Sequence, residues 1–257
     1  MAYDTALTVF SPDGHLFQVE YAEEAVRRGI PVVGVRSKKL VLIAYGRQTT
    51  PELQDPRTIR KVYNIDEHIF MAFSGLNADA RVLSNEARLE AQSHRLNLDD
   101  PPTVEMIARH VAYTQQKYTQ SGGRRPFGVS TLLAGIDPNG TPRLFHTQPS
   151  GIYNEWVATA IGGKSDDIRE LLEAEYEQVA ESEPESIEET KKLFGELAIK
   201  ALDKGAHCDD IGIVAVYAQN GKPVVEHVSK DIIDALVKIV EEKKREQEEK
   251  ARQSLIL

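Results

Sequence analysis

The sequence predicts an α/β protein of four layers, two stacked antiparallel sheets between two layers of helices. Three observations predict it. Strand-like and helix-like runs follow the order strands, two helices, strands, two helices, strands, helix. Helices that come in pairs cannot be the single crossovers of a doubly wound parallel sheet; they suit helical layers on the outer faces of antiparallel sheets. No linker divides the 257 residues into parts with separate cores, so we read one domain over 1–240 and a charged tail over 241–257.

Each element has its own signal. Ser11-Pro12-Asp13-Gly14 gathers turn-forming residues. Residues 18–28 read as a short amphipathic helix with Val19, Ala22 and Val26 on one face, and Gly29 is placed to end it. That face is too narrow to stabilise a helix alone. Periodicity leaves open whether it docks on its own chain or on a neighbouring one. Val32–Arg36 and Leu40–Tyr45 read as strands around Ser37-Lys38-Lys39, and His68–Phe73 as a third. The period then changes: Ala80, Leu83, Ala87 and Ala91 mark a helix over Leu76–Leu96. Asp99-Asp100-Pro101-Pro102 breaks the chain, Thr103 can cap a second helix to about Gln120, and Gly122-Gly123 ends it. Val129–Ile136, Arg143–His146 and Trp156–Ile161 read as strands, the first two joined by Asp137-Pro138-Asn139-Gly140. Ser165–Gln178 and Ser186–Leu202 are helices parted by a Glu/Ser/Pro linker. Ile211–Ala218 and Pro223–His227 form a hairpin around Asn220-Gly221, and Ser229 caps the last helix.

Composition narrows the function classes. Lys and Arg total 31 against 40 for Asp and Glu, a net charge of −9. A uniform acidic excess argues against duplex nucleic acid or an anionic membrane as partner. Apolar stretches such as Leu40–Tyr45 are far too short to span a bilayer. Tyr3, Asp4, Asp13 and Glu20 interrupt any signal-peptide pattern, so a reducing intracellular compartment is expected. The single cysteine, Cys208, excludes an intrachain disulfide and a multi-Cys zinc site.

Local motifs give no active site. Gly163-Lys164-Ser165 is similar to the end of a phosphate-binding loop, but the position five residues before Gly163 holds Ala158 where that loop needs glycine. The bland reading is a strand-to-helix turn. His207-Cys208-Asp209-Asp210 offers metal-capable side chains, yet four adjacent residues cannot all face one ion. Asn139-Gly140-Thr141 fits a glycosylation sequon and equally a hairpin turn. The seven histidines show no HExxH spacing, and no GxSxG elbow is present. From Glu241 to Arg252 ten of twelve residues are charged, with Glu241/Arg245, Glu246/Lys250 and Glu248/Arg252 at i,i+4 spacing, which suits a solvated helix.

The opening residues carry a longer pattern. Tyr3-Asp4-Thr5-Ala6-Leu7-Thr8-Val9-Phe10-Ser11-Pro12-Asp13-Gly14-His15-Leu16-Phe17-Gln18-Val19-Glu20-Tyr21-Ala22 closely resembles the N-terminal signature of 20S proteasome α subunits. The likeness continues through Ser74–Arg81, Tyr118–Gly128, Pro149-Ser150-Gly151 and Ala160-Ile161-Gly162, and covers roughly residues 2–240. Within that family, Glu90–Leu96 and Gln54-Asp55 are most similar to the eukaryotic α4 paralogue.

The resemblance implies the N-terminal-nucleophile hydrolase sandwich. It also implies a non-catalytic place in a seven-membered α ring that contacts other α subunits and a ring of proteolytic β subunits. Catalytic β subunits expose an N-terminal Thr whose own amine acts as base; here Ile30-Pro31 follows Gly29 at the corresponding place, and Gly46 stands where those subunits carry an Asp. Further implied roles are gating of the axial pore by residues 1–12, with Tyr3, Asp4, Pro12 and Tyr21 in the cluster that holds the gate open. Thr5 replaces the family's usual Arg, a single hydroxyl in place of a charged fork. Lys61 matches the lysine that receives the C-terminal carboxylate of a regulatory particle, and Ser121-Gly122-Gly123-Arg124 the narrow throat through which unfolded proteins pass. No cofactor or metal is expected. ATP- and ubiquitin-dependent degradation in cytoplasm and nucleus is the implied setting.

Overall fold

A computed structural model describes residues 9–47, 53–55, 58, 60–205, 210–219 and 221–254. Helix α1 (Phe17–Arg27) leads into β1 (Val32–Arg36), β2 (Leu40–Gly46), β3 (Val62–Asp66) and β4 (Ile69–Gly75). Helices α2 (Asn77–Leu98) and α3 (Val104–Gln120) follow, then β5 (Val129–Ile136), β6 (Pro142–Thr147), β7 (Tyr153–Glu155) and β8 (Ala158–Ile161). Helices α4 (Ser165–Glu181) and α5 (Ile187–Gly205), strands β9 (Ile211–Gln219) and β10 (Lys222–His227), and α6 (Lys230–Ser254) complete the chain.

Two five-stranded sheets result, ordered β10-β9-β2-β1-β8 and β3-β4-β5-β6-β7. Every ladder is antiparallel. The predicted four-layer sandwich is therefore the observed one.

The reason is visible in β2. All seven of its residues are buried, so it reads as an unbroken apolar run. Its side chains alternate between two cores. Leu40, Leu42 and Ala44 join Phe194, Leu197, Ile168 and Leu172 under α4 and α5. Val41, Ile43 and Tyr45 face Phe70, Leu132 and Leu144 of the second sheet. On that sheet's far side Met71, Phe73 and Leu133 pack on Leu83, Ala87, Ile107 and Val111 of α2 and α3.

Several elements differ from expectation. Strand β3 has no clean alternation: in Val62-Tyr63-Asn64-Ile65-Asp66 only Ile65 is buried, and the strand sits at a sheet edge with an irregularity after Asn64. The strand expected over Trp156–Ile161 begins at Ala158, and three-residue β7 lies before it. The helix expected over 18–28 spans Phe17–Arg27. Its apolar face settles on its own chain, with Val19, Ala22 and Val26 all at or below 9% exposure, so that face is spent within the subunit. Helix α6 runs on through Ser254, taking residues 241–254 of the charged segment into a single helix.

Candidate functional site

The place to look for chemistry is the join between α1 and β1. Gly29 N–H donates to the carbonyl of Val26 at 2.8 Å and ends the helix. Ser74, fully buried at the end of β4, donates its hydroxyl to the Ile30 carbonyl at 2.9 Å. Gly163 N–H donates to the Gly29 carbonyl at 2.9 Å. The two successive peptide carbonyls ahead of β1, those of Gly29 and Ile30, are thus each held by a hydrogen bond. Ile30 has no nucleophilic atom, and its nitrogen is an amide inside a continuous backbone. Gly46 closes the neighbouring ladder by donating to Pro31 at 3.4 Å, and contributes no side chain.

Lys61 lies next to β3 and is 7% exposed. Its ammonium stands 5.0 Å from the centre of the Phe73 ring, and burial pushes its pKa down. Among the described residues no carboxylate pairs with it. A buried amine without a counter-ion can accept one.

The loop after α3 is built differently. Ser121 donates its hydroxyl to Lys117 at 2.7 Å, and Arg124 N–H reaches the Ser121 carbonyl at 3.3 Å. The Arg124 guanidinium covers the Tyr118 ring at 5.1 Å. Gly123 takes φ +75°, and a Cβ at Gly122 or Gly123 would meet nothing within 4 Å, so the loop projects from the body. Its far end is tied down: Arg125 donates twice to Asp79 of α2, at 2.6 and 2.8 Å, and Gly128 N–H donates to the same carboxylate at 2.9 Å. Both partners lie within family-like segments, Ser74–Arg81 and Tyr118–Gly128, but no spacing rule pairs them.

The N-terminal candidates are only partly in view. Tyr3 and Asp4 lie outside the described residues. Pro12 opens the turn closed by Gly14 N–H to Ser11 O at 2.9 Å. Tyr21 is half exposed on α1, and its ring stacks 6.4 Å from Phe17, which in turn stacks 5.7 Å from His15. With Phe10 at 65% exposure this side of the molecule is aromatic and open.

The motif-like segments resolve as turns. Gly162-Gly163-Lys164 leads into α4, with Lys164 at φ 52° and no side-chain cap. Asp137 N–H donates to Thr141 O at 2.9 Å, and Asn139 accepts from Thr141 N–H at 2.9 Å, forming a hairpin turn. Asp210 pairs with Arg47 at 3.5 Å; His207, Cys208 and Asp209 lie outside the described residues. Among the described residues no three His, Cys, Asp or Glu side chains converge on a metal-sized site, and no helix is long and apolar enough to cross a membrane.

A family model described as "Proteasome subunit" matches residues 26–216, and a second, for the N-terminal signature of A-type proteasome subunits, matches residues 3–25. Among curated relatives, "Proteasome subunit alpha type-7" of Caenorhabditis elegans is 48% identical over 241 residues, 93% of this chain and 92% of the relative. The protein of the same name from Dictyostelium discoideum is 47% identical, covering 96% and 94%. "Proteasome subunit alpha type-4" of Saccharomyces cerevisiae is 52% identical over 214 residues, covering 82% and 84%.

Proposed function

The chain belongs to the proteasome subunit family, as a non-catalytic member of α type, and from that membership we propose that it gates the passage of substrate through the α ring and docks regulatory particles. As such a member it assembles with other proteasome subunits in the 20S particle. The observation that carries the proposal is the closed join at Ile30. With no nucleophile at that join, the chain is read as acting through its surfaces.

Three surfaces support the reading. The aromatic N-terminal side, with Phe10 and Tyr21 exposed, suits contact with a neighbouring member of the ring at the gate formed by residues 1–12, with Tyr3, Asp4 and Pro12. Val82, Leu89 and Leu96 recur every seven residues on α2 at 44, 66 and 86% exposure, an apolar row suited to another subunit. Lys61 suits the C-terminal carboxylate of a regulatory particle, a charge-assisted contact that gains from several tails binding one ring. The throat role of Ser121–Arg124 rests on its projection from the body. Ubiquitin-dependent degradation in cytoplasm and nucleus is the setting we propose. The position within a seven-membered ring is that of α4, on the strength of Glu90–Leu96.

The test deletes residues 2–9 in the assembled particle. Peptide hydrolysis without an activator should rise; unchanged basal hydrolysis counts against a gate here. Expression in cells that lack their own α4 subunit tests the paralogue: rescue supports it, and failure beside rescue of another α position replaces it.

A further inference from the structure

A cavity of about 250 Å³ opens beside the α1–β1 join, between α1, the ends of β5, β6 and β8, and the start of α4. Polar groups dominate its wall: Arg27, Ser130, His146, Gln148, Ser165 and Arg169, together with the carboxylates of Glu23 and Asp166. The family role described above uses none of them.

His146 is the informative member. It is 4% exposed, and its Nε2 is buried with no hydrogen-bond partner among the described residues. Leaving such a group unmatched costs on the order of 1–3 kcal/mol. A bound group with its own donors or acceptors removes that cost.

The surrounding charges select the chemistry. Helix α4 starts here, and its 17 residues aim the positive end of a helix dipole at the cavity. No hydrogen bond occupies the N–H of Asp166 or Asp167 among the described residues. Arg169 adds a guanidinium that donates to the Ala160 carbonyl at 3.2 Å and pairs with Asp166 at 3.2 Å. That pairing neutralises one of the two carboxylates. Burial pushes up the carboxyl of the other, Glu23, and Arg27, which lines the same cavity, acts on it electrostatically in the opposite sense. A metal ion is a poor fit, since His146, Glu23 and Asp166 do not converge.

We propose that this cavity is a binding site for a small phosphate-class oxyanion, held by the N-terminus of α4, Ser165, Arg169 and the His146 ring. A free helix N-terminus with a nearby guanidinium is a ready anion site, and His146 supplies a neutral donor for one oxygen. The turn Gly162-Gly163-Lys164-Ser165 then serves phosphate after all, without the full loop that nucleotide binding needs.

The experiment titrates inorganic phosphate into the full-length chain at constant ionic strength, followed by calorimetry and by ³¹P line width. Glycerol phosphate in a parallel titration distinguishes a phosphomonoester ligand from the free ion. Two variants accompany the wild type. Ser165→Asp places a carboxylate where α4 tolerates one and repels an oxyanion; Arg169→Gln removes the guanidinium. One saturable site that both variants weaken at least tenfold supports the proposal. No saturable binding by the folded wild-type chain overturns it, as does equal binding by wild type and Ser165→Asp.

Discussion

Arg125 and Asp79 lie 46 residues apart in the chain and meet end-on, through both terminal guanidinium nitrogens. Two guanidinium nitrogens meet the two oxygens of one carboxylate at 2.6 and 2.8 Å. The carboxylate is 9% exposed and takes a third hydrogen bond from Gly128 N–H. Burial pushes its pKa up, but the Arg125 bonds and charge and the Gly128 bond outweigh burial, so the carboxyl titrates below its usual 3.8.

Asp79→Ala should therefore destabilise the chain by about 1.5–3 kcal/mol, the range for hydrogen bonds to charged groups. The sign of the pH dependence follows. The contribution is fully present above pH 3.8 and is lost as pH falls through the lower folded value. Chemical denaturation of both proteins from pH 7 to pH 3 checks it. A variant as stable as wild type at pH 7 removes the anchor from the account.

Gly75 ends β4 at φ +115°, and a Cβ there would fall on the Gly128 carbonyl oxygen. The same carbonyl accepts from Leu76 N–H at 2.9 Å. Backbone on both sides leaves no side chain that could give way, and Ala at such a φ adds strain of order 1–3 kcal/mol. Gly75→Ala should cost at least about 3 kcal/mol or keep the chain from accumulating in soluble form. Thermal melting of the purified variant decides it.

His146 is pushed down to about 4, first by burial and then by the charge of Arg169. The unfolded ring takes its proton near pH 6.5 and the folded ring does not. Stability is thus greatest above 6.5 and declines as pH falls towards 4, by about 3 kcal/mol in all. His146→Leu should show a flatter profile over that interval. Parallel profiles for the two proteins would contradict the buried neutral ring.

Lys61 runs the other way in function. Its lowered pKa means that the folded state disfavours the ammonium; the penalty is full below the lowered folded value and disappears above the unfolded value of 10.5. Lys61→Met, which keeps the stem against Phe73, should raise the melting temperature of the chain at pH 7. In the assembled particle it should weaken activator binding and activator-driven opening while basal hydrolysis stays unchanged. Titration with two different activators measures this. Undiminished binding of both leaves Lys61 a stability cost alone.

Gly122 has open space around its Cβ position, so a bulky residue there should not disturb folding. If its loop lines the throat, Gly122→Trp in every ring position slows degradation of an unfolded protein more than hydrolysis of a short peptide. Equal effects on both substrates dismiss the throat role.

The layered plan was legible because strands buried on both faces and helices buried on one carry their period in the residues themselves. Strand β1, helix α3 and strand β5 fall where the pattern placed them. Strand β3 was invisible for a physical reason: Tyr63 and Asn64 lie on a half-exposed edge, where little apolar alternation is required. The site was less legible than the fold. Nothing local distinguishes Lys61 from a surface lysine, and only the resemblance singled it out; its burial against Phe73 is a tertiary fact. Gly163-Lys164-Ser165 is a contiguous pattern in the sequence, whereas His146, Ser130 and Arg27 arrive beside it from three other elements that no spacing rule connects.

The join held by Ser74 and Gly163 also bears on timing. A hydrolase of this architecture that must expose a new amine has an inactive youth, and its assembly has to be coordinated with a cut. Here the segment ahead of β1 remains packed through Val19, Ala22 and Val26, and the carbonyl of the bond that such a cut would break accepts from Gly163 N–H. A non-catalytic subunit has no amine to release at this join, so the closing of its two sheets is not tied to a cut there.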